Sequence, residues 1–400
     1  MKGHIRKRGR NSWELKFDAG RDPVTGRRIT RYRTVRGTRR DAQGELNRIL
    51  VDIEGGSFVA DVKVTVSEVA RHWLHHVATD NNGQRSLERH EVSIEKHIIP
   101  HLGGIRLGRL TGEQIQQFYR QLRTDGNRRT GEGLSEQSVI HIHSVLSLIL
   151  GWCLRTRKIR VNPLHQVRRP SGTSRPEKAV EVGSEGDDFE DGGTVSVIQH
   201  GELKVLLAYL RGKSLYFPTL LAVSTGLRRG EVLGLKWGDL DLENETLMVR
   251  RAVEQTRKYG LRLKVPKKHS RRQIALPKTV VGEIRRHRRE QLELRMKLGM
   301  GKGDFVFSTW DGQLRSPGGF TGEFRRAATA AGLPRATFHM LRHTHASQLL
   351  SAGEPVTSVS RRLGHKNPAI TLQVYSHVLE GMDDAAAVKT DQIMNAILYG

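Results

Sequence analysis

The sequence predicts a multidomain α+β protein: a small basic β-sheet with one helix, then an all-helical bundle, then a mainly helical domain carrying a small antiparallel sheet. Three observations predict it. Apolar residues alternate near the start, recur at helical spacing from Thr65 to about Pro170, and mix both periods after Val197. An acidic, glycine-containing break separates the second region from the third. A chain of 400 residues is long enough for several domains with a sizeable core. The expected boundaries are 1–58, 63–170, 171–196 and 197–400.

In the first region, Trp13, Leu15 and Phe17 alternate on one face, as do residues from Ile29 to Val35, with Asp22-Pro23-Val24-Thr25-Gly26 supplying the turn. A helix follows from Thr38 to Glu54, closed by Gly55-Gly56. Residues 1–40 hold fourteen Lys or Arg against three Asp or Glu, a local net of +11. In the second region, Thr65-x-x-Glu68 reads as a capping box before the stripe Val66, Val69, Trp73. Further helices are read over Ser86–Ile99, Thr111–Arg123 and Ser135–Arg155. His72, His75, His76, His141 and His143 read as surface or packing residues. Glu177–Asp191 holds seven acidic residues and one lysine, the composition of a solvated, flexible linker.

The third region opens with helices over Gly201–Leu210 and Phe217–Ser224, leading into Thr225-Gly226-Leu227-Arg228-Arg229-Gly230-Glu231. Glycine before Arg228 permits a tight turn that presents the guanidinium. Thr246–Val253, Leu261–Val265 and Arg271–Leu276 read as strands, with Pro266-Lys267-Lys268-His269-Ser270 as the hairpin between the last two. Val281–Leu298 and Phe320–Ala331 read as helices, with a short strand at Phe305–Phe307. The final stretch, Thr337–Val378, holds His339-x-x-Arg342, then Leu363-Gly364-His365, then Tyr375. Residues three apart on a helix share a face, so His339 and Arg342 can converge on one small anion. Pro368 opens a further short helix that carries Tyr375. A last helix is read over Asp383–Leu398.

Lys plus Arg is 67 against 42 Asp plus Glu, a net of +25, which favours a polyanionic partner, nucleic acid first. The single cysteine, Cys153, excludes an intrachain disulfide and fits a reducing compartment. No apolar run follows the basic N-terminus and none is expected to reach a membrane span, so a soluble, cytoplasmic protein is expected. Gly299-Met300-Gly301-Lys302-Gly303 lacks the upstream glycine and following Ser/Thr of a P-loop.

These boxes, in this order, closely resemble the active-site region of the tyrosine recombinases, the phage-type integrase family. The resemblance is strong over Val197–Leu379, looser over 60–170, and architectural over the first 55 residues. It implies a site-specific recombinase of a phage or other mobile element. Arg228 then matches the phosphate-binding arginine, Glu231 its acidic companion, Lys267 the catalytic lysine, and His339, Arg342, His365 and the nucleophile Tyr375 the remainder. Lys268 and Lys264 stay open as alternatives to Lys267. The resemblance also implies an arm-site DNA-binding domain at the N-terminus and a SAM-like helical core-binding domain. It implies further that a C-terminal segment packs on a neighbouring protomer in a homotetramer on paired double-stranded DNA sites. Host DNA-bending and directionality factors, and association with the bacterial nucleoid, complete what it implies.

The chemistry needs a nucleophile, neutralisation of a phosphorane, and a proton for the leaving oxygen. A phenol is only about 0.1% ionised at neutral pH, so its deprotonation must be assisted, with His339 as the candidate base. Planar guanidinium forks on Arg228 and Arg342 match two non-bridging oxygens. Because the phosphoester survives in the covalent link, neither metal nor ATP nor another cofactor is called for. Three other readings compete. His339 and His343, four apart on a helix, with His345 and His365, could bind zinc, although no glutamate stands beside His339. A DNA-binding protein that had lost catalysis, and a type IB topoisomerase, are the others.

Overall fold

Alternation in the first region does build a sheet, and it has one strand more than expected. The computed structural model describes residues 3–21, 28–54, 64–79, 83–127, 130–171, 196–265, 271–379 and 382–399. It falls into two units, Met1–Gly192 and Gly193–Gly400. In the first, β1 (Gly3–Gly9), β2 (Ser12–Arg21) and β3 (Arg28–Arg36) form an antiparallel sheet with β2 in the centre. β1 escapes the sequence reading because Arg6, Lys7 and Arg8 put charge on both faces and hide the period. Leu15 and Phe17 are buried against Ala42, Leu46 and Ile49 of α1 (Arg39–Glu54). Thr38 N–H donates to Asp41 Oδ2 at 2.8 Å and Asp41 N–H to Thr38 Oγ1 at 3.3 Å, which satisfies donors at the helix start. On the other face, Lys16 stands opposite both His4 and Tyr32, its ammonium 5.8 Å from the Tyr32 ring centre.

The helical region begins with α2 (Val66–Trp73), capped as expected: Thr65 N–H donates to Glu68 Oε2 at 2.8 Å and Glu68 N–H to Thr65 Oγ1 at 3.4 Å. α3 (Gln84–Ser93) continues through a π turn to Leu102, and α4 (Gly112–Asp125) carries a second capping box from Thr111 and Gln114. α5 (Glu136–Arg155) runs through the middle of this core. It corrects one expectation, because by length and composition α5 is apolar enough to cross a membrane. Val139, Ile142, Leu146, Ile149, Leu150 and Cys153 are instead buried among the other helices, so the apolar run is a core element. His143 packs too, with its Nδ1 2.7 Å from the Tyr119 hydroxyl. The expected acidic linker lies outside the described residues, except for its ends at Ser171 and Ser196.

In the second unit, α6 (His200–Leu210) and α7 (Tyr216–Thr225) lead into the short α8 (Arg229–Leu233). The strands that follow are β4 (Leu240–Asp241), β5 (Thr246–Val249), β6 (Ala252–Thr256), β7 (Gly260–Lys264) and β8 (Arg272–Ala275). They make two sheets, β4-β5-β8 and β6-β7, so two expectations are corrected. Thr246–Val253 is not one strand. Leu247 and Val249 are buried in alternation, but the next position in that row is Arg251, whose guanidinium pairs with the buried Asp239 carboxylate. A charged pair cannot continue an apolar row, and the chain restarts as β6 with Val253 opposite Leu263. Nor are Leu261–Val265 and Arg271–Leu276 the arms of one hairpin: β7 pairs with β6, and β8 with β5. The expected strand at Phe305–Phe307 reduces to a bridge between Phe305 and Lys236.

The remaining helices are α9 (Lys278–Lys297), α10 (Pro317–Ala330), α11 (Phe338–Ser351), α12 (Val356–Leu363), α13 (Pro368–Leu379) and α14 (Met382–Tyr399). Leu221, Val232, Ile274, Phe320, Phe324 and Leu341 share the main core. A smaller cluster of Ala346, Leu350, Val359 and Leu363 closes around Tyr375.

Candidate active site

Two left-handed glycines shape this region. Gly226 (φ 69°) ends α7, and a Cβ there would come within 2.8 Å of both the His345 ring and Leu363. Gly364 (φ 71°) ends α12 against the Arg272 guanidinium, where a Cβ would meet Nη1 at 2.8 Å. Both turns need positive φ and no side chain, which only glycine supplies cheaply.

After the first turn, Arg228 caps α8, and Glu231 sits in its first turn. The Arg228 backbone N–H donates to Glu231 Oε2 at 2.9 Å, and its Nη1 to Oε1 at 3.2 Å. From β8, Arg272 grips the same carboxylate with both guanidinium nitrogens, at 3.0 and 2.9 Å, while its Nε donates to the Arg362 carbonyl at 2.6 Å. Glu231 is only 4% exposed. Burial is the largest single influence on its carboxyl and pushes its pKa up, but Arg272 and Arg228, with a smaller contribution from Arg342, outweigh it and hold it at about 2.

Arg342, on α11, is 2% exposed and joins the two glycine turns: Nη1 donates to the Gly226 carbonyl at 2.6 Å and Nη2 to the Leu363 carbonyl at 2.9 Å. His365 follows Gly364, with its Nδ1 2.8 Å from the Thr371 hydroxyl of α13. At Tyr375 the helical path is interrupted (φ −117°, ψ 18°), and the side chain is 1% exposed. Its hydroxyl lies 2.8 Å from Nδ1 of His343 on α11. The His343 ring in turn meets the His339 ring edge-on, with centroids 4.7 Å apart.

The fold therefore joins Arg228 to Glu231 by hydrogen bonds, ties Arg342 to the turns before Arg228 and before His365, and docks Tyr375 against the helix that carries His339. Lys267 and Lys268 lie outside the described residues. The remaining alternative, Lys264, pairs with Glu254 at 3.5 Å on β6. Sequence reasoning did not single out Arg272 or Arg362 for this site, and weighed His343 and His345 only as metal ligands. Arg362 Nε donates to His345 Nε2 at 3.0 Å and its Nη2 to the Ser224 and Ala275 carbonyls. Burial first, and the nearby Arg362 charge second, push His345 down to about 3, so it is neutral here. Among the described residues, no group of three or more His, Cys, Asp or Glu is placed to hold a metal ion.

Glu231→Gln should cost about 3–5 kcal/mol, because the buried Arg272 would lose its countercharge. For a unit of this size that lowers the melting temperature by roughly 10 °C. A folded-state pKa held below the ordinary carboxylate value stabilises the fold above about pH 4.5, and the gain is lost as pH falls toward 2. Melting curves of wild type and Glu231→Gln should therefore converge in acid; a constant gap down to that pH would refute the charge pairing.

The sequence signature described as the phage integrase family matches residues 196–382, and that of the phage integrase N-terminal SAM-like domain matches residues 65–123. The chain belongs to the phage integrase family. A tyrosine recombinase XerC-like protein of Caldanaerobacter subterraneus is 28% identical over 391 residues, covering 93% of this chain and 94% of the relative. The ICEBs1 integrase of Bacillus subtilis is 23% identical over 98% of this chain and the whole of that protein. Among solved structures, the Tn1549 transposon integrase in complex with transposon right-end DNA superposes with a TM-score of 0.64 at 19% identity. It covers 83% of this chain and all of that one. A lambda integrase dimer bound to a core site superposes with a TM-score of 0.52 at 20% identity, covering 92% and 93%. At such identities these two likenesses establish the shared fold.

Proposed function

We infer that this phage integrase family member is a site-specific DNA recombinase of a mobile element that cuts and rejoins strands through Tyr375. The observation that carries this reading is the docking of the Tyr375 hydroxyl against α11, the helix that also carries Arg342. The phenol oxygen attacks the phosphorus, a 3′-phosphotyrosyl bond forms, and the bond to the 5′-oxygen breaks. Attack by a 5′-hydroxyl reverses these steps. The phosphoester bond is conserved throughout, so no nucleotide hydrolysis is needed.

Arg228 and Arg342 stabilise the non-bridging oxygens, and His365 contributes a further hydrogen bond. Glu231 orients Arg228 rather than touching DNA. Lys267 protonates the 5′-oxygen, with Lys268 as the alternative. His339, the base that the sequence suggested, has its ring edge-on to His343, the histidine that holds the phenol.

The partner is double-stranded DNA, in keeping with the net charge of +25. The solvent face of the N-terminal sheet, with His4, Arg6, Arg8, Lys16 and Tyr32, suits arm-site DNA. A tetramer on paired sites is the working assembly, as in the lambda integrase tetramer bound to a Holliday junction, whose fold this chain shares (TM-score 0.51). Host DNA-bending and directionality factors join it at the bacterial nucleoid.

The test is covalent trapping on a nicked duplex that carries the junction DNA flanking the gene. A denaturant-resistant adduct should form with chelator present and ATP absent, and peptide mapping should place the nucleotide on Tyr375. Sequence-specific binding with no adduct on validated attachment DNA would sink the reading in favour of a binding protein on the same scaffold.

A further inference from the structure

We propose that His343 takes the proton from Tyr375 during strand cleavage and returns it on rejoining. This rests on the reading of Tyr375 as the nucleophile. Nδ1 of His343 is 2.8 Å from the phenolic oxygen, within the range for direct proton transfer.

The surroundings explain why a local base is needed. Tyr375 is 1% exposed and packed among Ala346, Leu350, Val359 and Leu363. A phenol is only about 0.1% ionised at neutral pH. Ionisation before attack is therefore suppressed, and the proton must leave as the oxygen–phosphorus bond forms. A neutral imidazole with its proton on Nε2 presents the Nδ1 lone pair to the phenol. Among the described residues, His339, one turn earlier on α11, and Tyr375 on α13 lie against the His343 ring.

In the forward step, the phenolic proton moves to Nδ1, the phenol oxygen bonds to phosphorus, and the 5′-oxygen departs with a proton from a separate donor. In the reverse step, the imidazolium protonates the departing phenol oxygen. Spacing alone cannot distinguish His339 from His343, because both lie on one face of α11; the hydrogen bond to Tyr375 selects His343.

The experiment measures single-turnover adduct formation on the nicked duplex for wild type, His343→Asn, His339→Asn and Tyr375→Phe, with DNA binding as a control for folding. Asparagine can still hydrogen-bond near the position of Nδ1 but is not basic. His343→Asn should bind DNA normally and react about 100-fold more slowly or worse near neutral pH. Its rate should climb about tenfold per pH unit toward pH 9 as solvent ionises the phenol, and added imidazole should restore part of it. His339→Asn should show no such recovery. A His343→Asn rate within about threefold of wild type, a loss equal at every pH, or recovery confined to His339→Asn would each overturn the proposal. Absence of any wild-type adduct, or its persistence in Tyr375→Phe, would remove the reading beneath it and the proposal with it.

Discussion

Tyr375→Phe should abolish adduct formation while leaving DNA binding and the fold nearly unchanged. The separation is expected because ring and hydroxyl have different tasks. The ring fills the small cluster of Ala346, Leu350, Val359 and Leu363, and phenylalanine keeps that packing. The hydroxyl shares a hydrogen bond with His343 at 2.8 Å, and losing it costs about 1 kcal/mol. For a unit of this size that is a shift of about 2–4 °C in the melting temperature. Chemically the loss should be complete, since phenylalanine offers no nucleophile. The measurement pairs gel detection of the adduct with a binding titration at fixed salt. An adduct surviving at a wild-type rate would mean that another tyrosine attacks, and Tyr399 on α14, 85% exposed, would be the first to map.

The parts of this site that were legible in the sequence are those whose geometry is local. His339 and Arg342 fall three apart on one helix, and elsewhere in the chain the capping box at Thr65 closes within four residues. Glycine at 226 and 364 announces turns that the structure realises with positive φ. Arg272 and Arg362 were not legible, because each sits in a basic pair (Arg271-Arg272, Arg361-Arg362) that reads as surface charge. Only the pairing of β8 with β5 brings Arg272 to Glu231, and no periodicity reports that pairing. His343 presents the opposite difficulty. It is visible one turn beyond His339, where two histidines suggest a metal pair, and the partner that decides its task is Tyr375, which is distant in sequence. The strand over Thr246–Val253 fails for a similar reason: Arg251 interrupts it by pairing with Asp239, a contact between elements.

Arg342→Lys should slow adduct formation by about 10²–10³-fold, the usual cost of removing one preorganised donor from a developing oxyanion. Lysine keeps the charge, so the loss would report geometry. The guanidinium fork bridges the Gly226 and Leu363 carbonyls, and in doing so it fixes the turn that leads to Arg228 and the turn that leads to His365. An ammonium is a point charge on a flexible stem and cannot hold both carbonyls in one plane. Arg342→Ala should be worse for a separate reason: two carbonyls buried without partners cost about 1–3 kcal/mol each, so the unit should melt well below wild type. Comparing the variants at a temperature where each is folded separates the effects. If the chemical role is right, Lys and Ala lose similar rate per folded molecule although their stabilities differ. If the rate per folded molecule stayed near wild type in Arg342→Ala, which removes the charge, the arginine would be only a brace between two turns. The positive charge at the phosphate would then have to come chiefly from Arg228, whose side chain is 19% exposed against the 2% exposure of Arg342 and so already more open to DNA.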